Sequence, residues 1–94
     1  MTLNFTKNED VWVAEFTATA DFNLHIEGVV EGNVRIYQRG SASGAYSLVR
    51  GAMMYPSYNN VFDMDFTAAV YPKYMKVECA TEPAMAVVTF AQHE

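Results

Sequence analysis

At 94 residues the chain has room for one domain, residues 1–94, around a single thin core. Half of its residues are apolar, which argues against a disordered chain. Eleven Asp and Glu stand against six Lys and Arg with no basic run, which argues against nucleic acid as a main partner, because phosphate binding needs clustered cations.

Period-two alternation dominates the chain. Leu3-Asn4-Phe5 reads as a short edge strand, and Asn8-Glu9-Asp10 as a turn. Residues 11–17 form a strand with Trp12, Ala14 and Phe16 on one face. In Phe22-Asn23-Leu24-His25-Ile26-Glu27, the apolar members face a core while Asn23, His25 and Glu27 face water. Val34-Arg35-Ile36-Tyr37-Gln38-Arg39 repeats the pattern, with Val34 and Ile36 inward. The glycine-bearing link between these two segments predicts that they pair as a hairpin.

Gly40-Ser41-Ala42-Ser43-Gly44 is a tip, and residues 45–49 return from it as a strand. Pro56, Ser57, Asn59 and Asn60 are loop formers, with a short strand predicted at 52–55. Phe62-Asp63-Met64-Asp65-Phe66 alternates again. Tyr74-Met75-Lys76-Val77-Glu78-Cys79 follows Pro72, and residues 84–91 complete the pattern after Glu82-Pro83. The result is about eight short antiparallel strands with turn signals every ten residues or so. This predicts an all-β domain, a single small β-sandwich of jelly-roll or Ig-like type.

Catalytic constellations are thin. Neither His25 nor His93 has a partner at metal-ligand spacing. Asp63 and Asp65 share one strand face, which suits a cation or a glycosidase pair, but no acidic loop accompanies them; a solvated strand face is the expectation. Cys79 lies in an apolar run and reads as a small buried hydrophobe. No phosphate loop, nucleophile elbow or dinucleotide fingerprint occurs. The sequence therefore predicts a non-enzyme without metal or cofactor.

The tyrosines stand out. Tyr37 falls on the outward side of its strand, and Tyr55, Tyr58, Tyr71 and Tyr74 gather around prolines and loops. Exposed tyrosines anchor protein interfaces or stack on sugar rings, so these five are the candidate contact residues. The alternative is that they cover the rim of the core.

The central segments, Phe22 to Gly28, Gly32-Asn33-Val34-Arg35-Ile36-Tyr37-Gln38-Arg39 and Gly44-Ala45-Tyr46-Ser47-Leu48-Val49, resemble small bacteriophage virion β-sandwich proteins. Val70-Tyr71-Pro72-Lys73-Tyr74-Met75-Lys76-Val77 is similar to a Tyr-rich strand near the end of those proteins. Gly40 stands where that family usually has Ser, and Tyr46 where it has Trp. The resemblance implies a structural part of a phage particle: head decoration, neck, tail or fibre. Its partners would be copies of itself and other virion proteins. The N-terminus, Met1 to Lys7, lacks the pattern of a signal peptide, and no apolar stretch approaches membrane-spanning length. The expectation is synthesis in a host cytoplasm and residence in the virion, with no membrane and no nucleic-acid partner. The alternative function is a carbohydrate-binding or adhesion module that uses the tyrosines on a glycan.

Overall fold

The computed structural model describes residues 1–28, 34–49, 61–68 and 70–91. Among them are eight strands: β1 (Thr6–Asn8), β2 (Val11–Ala18), β3 (Phe22–Glu27), β4 (Val34–Arg39), β5 (Ser47–Leu48), β6 (Val61–Phe66), β7 (Lys73–Cys79) and β8 (Met85–Phe90). They make two antiparallel sheets, ordered β1-β2-β7-β4-β5 and β6-β3-β8. The sheets pack on each other as a small β-sandwich.

Alternation explains the packing. Ala14, Phe16 and Ala18 of β2, Val34 and Ile36 of β4, and Met75, Val77 and Cys79 of β7 point inward from the larger sheet. Phe22, Leu24 and Ile26 of β3, Phe62 and Phe66 of β6, and Ala86 and Val88 of β8 meet them from the smaller one. Each large side chain fully buried here contributes about 1.5–3 kcal/mol. Phe22 joins the layers at one end. Its ring is edge-on to Phe16 of the opposite sheet at 5.2 Å and stacked on Phe66 at 4.9 Å. Cys79 is buried in this core, and burial pushes its thiol up to about 12, so it stays protonated and packs as a hydrophobe.

The predicted hairpin between the Phe22 and Val34 strands does not form. β3 pairs with β6 and β8, whereas β4 pairs with β7 and β5 in the other sheet. The chain leaving β3 crosses between layers instead of turning back within one. Gly28 opens that crossing with φ +79°, and a Cβ there would sit 2.7 Å from Cβ of Ala84. Glycine alone meets both demands. The Gly40–Gly44 tip does close a hairpin, with Tyr37 opposite Leu48 and Gln38 opposite Ser47.

The N-terminal segment also differs from expectation. Thr2 bridges Val87, and the Leu3 N–H donates to Ala86 O at 2.9 Å, so residues 1–3 cover the edge of β8. The strand proper is β1, which joins the other sheet beside β2. The strand predicted at 52–55 lies outside the described residues. Among the described residues no helix is long and apolar enough to cross a membrane.

Candidate functional site

Among the described residues the inward side chains fill the core, and the polar and aromatic groups gather on the two outward faces. On the larger sheet, register builds one row across four strands: Leu48 of β5, Tyr37 of β4, Lys76 of β7 and Glu15 of β2. The next row holds Arg39, Tyr74 and Thr17. Tyr46, just before β5, lies over both. Its hydroxyl donates to Glu15 Oε1 at 3.0 Å, two strands beyond Tyr37. The Arg39 guanidinium sits 4.3 Å from the Tyr46 ring centre, and Lys76 Nζ lies 4.7 Å from that ring and 4.6 Å from the Tyr37 ring. Such cation–π contacts contribute about 0.5–1 kcal/mol each at exposed sites. Arg39 Nη1 also donates to Gly44 O at 3.0 Å, which ties the tip to the sheet. Desolvation, then the bond to Glu15, raises the Tyr46 phenol above its ordinary range, so the hydroxyl stays a donor. An open groove along β1, β2 and β7, lined by Val13, Glu15, Lys76 and Glu78, continues this face.

The outward face of the smaller sheet carries different groups. Register sets His25 opposite Asp63 and Asn23 opposite Asp65. Asn23 Nδ2 donates to Asp63 Oδ1 at 2.6 Å and to Asp65 Oδ1 at 2.9 Å. His25 Nδ1 lies 2.7 Å from Asp63 Oδ2, and His25 Nε2 lies 2.8 Å from Glu27 Oε2. The bond to Glu27, then that to Asp63, raises the imidazole above its ordinary value, outweighing desolvation. The Asn23 bond, then His25, holds the Asp63 carboxyl below the carboxylate range. With both imidazole nitrogens committed to carboxylates, neither is left to take a proton from a nucleophile. Among the described residues no group of three or more His, Cys, Asp or Glu is placed to hold a metal ion.

The chain matches no family model, no curated protein and no solved structure. The two faces therefore stand on their own chemistry.

Of the five tyrosines singled out from the sequence, the three among the described residues separate. Tyr37 and Tyr74 share the outward face of the larger sheet, both half-buried. Tyr71 packs against the core edge; its hydroxyl donates to Asp21 Oδ1 and accepts from the Ala68 N–H at 3.0 Å. Desolvation, then the Asp21 bond, raises its phenol. Tyr55, Tyr58 and His93 lie outside the described residues. Two features were not reached from sequence. Tyr46 is at the centre of the aromatic face, and its alternation with Leu48 is the signal that points to it. His25 is joined to Asp63 across 38 positions, a partnership only strand register creates.

Proposed function

We propose that this chain is a non-enzymatic structural subunit of a bacteriophage particle, serving in head decoration, neck, tail or fibre. It acts through contacts with copies of itself and with neighbouring virion proteins. The observation that carries this reading is the outward face of the larger sheet, where Tyr37, Tyr46 and Tyr74 are interleaved with Arg39 and Lys76. Tyrosine and arginine are enriched at protein interfaces, and a broad sheet face offers area rather than a cleft. The occupied imidazole nitrogens of His25 and the likeness of the central strands to small virion proteins support the same reading.

The test is the protein content of particles produced from the genome that encodes the chain. The proposal expects this polypeptide in purified particles at a stoichiometric copy number, and its gene among those for head, neck or tail proteins. A particle without it, from a genome where its gene lies apart from such genes, overturns the reading.

The same tyrosines support a second reading, a glycan-binding module, because aromatic rings on a sheet face stack on sugar rings. Arg39 and Lys76 already lie against two of those rings, which favours the protein interface. A glycan array decides between them: the second reading requires binding that Tyr74→Ala abolishes, and the first requires none.

A further inference from the structure

The two outward faces differ in sign. On the larger sheet Arg35, Arg39 and Lys76 stand against Glu15 and Glu78, together with Tyr37, Tyr46, Tyr74 and the exposed Leu48. On the smaller sheet Glu27, Asp63 and Asp65 stand against His25, beside the exposed Met85. The chain as a whole carries a net charge of −5, so a face with more cations than carboxylates runs against its average.

Resting on the assembly reading above, we infer that the aromatic, cationic face of one copy docks on the carboxylate face of the next, head to tail. Three arguments select a second copy in this orientation. The faces are complementary in charge, and each adds an apolar contact, Leu48 on one and Met85 on the other. Pairing the carboxylate face with itself would bring two sets of three carboxylates together, and like charges in apposition are disfavoured. Finally, the faces lie on opposite sides of a two-layer sandwich. A contact between them leaves a free face at each end, so it propagates into a ring or a filament rather than closing as a dimer.

Size sets the strength. Three strands of six residues cover roughly 290 Å² at ordinary strand spacing and rise. A stable interface takes about 800 Å² per partner, so the free chain associates weakly and visibly only near millimolar concentration. In a particle, neighbouring contacts and high local concentration would compensate.

Two charge-reversed variants test the mode. Lys76→Glu spoils the cationic face and keeps the carboxylate one; Asp63→Lys does the reverse. Circular dichroism establishes that each is folded, and Lys76→Gln replaces Lys76→Glu should the latter melt early. In sedimentation velocity at about 1 mM protein and about 20 mM salt, the wild-type mass should grow past the dimer with concentration. It should fall back to monomer at about 0.5 M salt, where screening is within a few ångströms. Each variant alone should be monomeric, and their mixture should stop at a one-to-one pair. A wild type that associates while either variant still does so alone overturns this mode and leaves the assembly reading standing. A wild type that stays monomeric, or a mixture that stays monomeric, also overturns the mode; the particle-content test then judges the assembly reading separately.

Discussion

The outward face of the five-stranded sheet and that of the three-stranded sheet are held together in different ways. On the larger, Tyr46 lies across the strands, linking the Gly44 tip to β2 through Arg39, Lys76 and Glu15. Its groups are half apolar, so ordering them also removes carbon from water. On the smaller, Asn23, His25, Glu27, Asp63 and Asp65 hold one another by charge-assisted bonds at the surface. Those bonds depend on protonation and salt, and they shield little apolar area. The difference teaches that one alternating pattern can present two kinds of surface, an aromatic one and a titratable one. Which kind arises depends on which strands become neighbours.

Both faces rest on one core, and the largest effects should come from removing it. Phe22→Ala takes away the ring that contacts Phe16, Phe66 and Phe90, and should cost about 3–5 kcal/mol in urea unfolding. A cost under about 1 kcal/mol would mean that the sheets are not joined there. Gly28→Ala comes next, at about 1–3 kcal/mol, since it puts a side chain at positive φ and against Ala84.

Substitutions on the faces separate the two. Tyr46→Ala should destabilise by about 1–2 kcal/mol, because the hydrogen bond and both cation contacts go together. Tyr46→Phe keeps the ring and should lose about 0.5–1 kcal/mol. Equal losses for the two would show that the ring contributes nothing.

The carboxylate face should give the smallest effect, within about 1 kcal/mol for His25→Gln, and the most dependent on pH. The His25 imidazole is raised above its ordinary value of 6.5, so its stabilisation is fully present below about that pH and is lost as pH rises through the folded value. The Asp63 carboxyl is lowered below 3.8, so its stabilisation is present above that pH and is lost as pH falls through the lowered value. Thermal melts of wild type and His25→Gln should therefore differ most between about pH 4 and pH 6.5 and converge above the folded His25 value. A difference that grows with pH would contradict the assignment.

Much of this architecture was legible in the sequence, because strand alternation fixes faces one residue at a time. Trp12, Ala14 and Phe16 were readable as one side of β2, and Phe22, Leu24 and Ile26 as the core side of β3. Partners were not readable. Six residues separate Glu27 from Val34 in the sequence, enough for a hairpin loop and enough, extended to roughly 20 Å, to cross the ~10 Å between sheets. The pattern is the same in either case. The chemistry of each face followed that unread choice. Had β3 paired with β4, His25 would have lain on the sheet of Tyr37 and Lys76 instead of beside Asp63. Tyr71 shows the same limit, since its bond to Asp21 spans 50 positions and makes it a brace at the core edge that alternation alone does not reveal.

The central claim is that both outward faces serve as contact surfaces and engage each other. The most direct measurement is a dilution series of amide and side-chain NMR spectra at low salt. Resonances of Tyr37, Leu48 and Lys76 on one face, and of Asn23, His25 and Asp63 on the other, should shift with one common concentration dependence. The core resonances of Leu24, Ile36 and Val77 should stay still. Shifts confined to one face, or none at all up to millimolar concentration, would contradict the account.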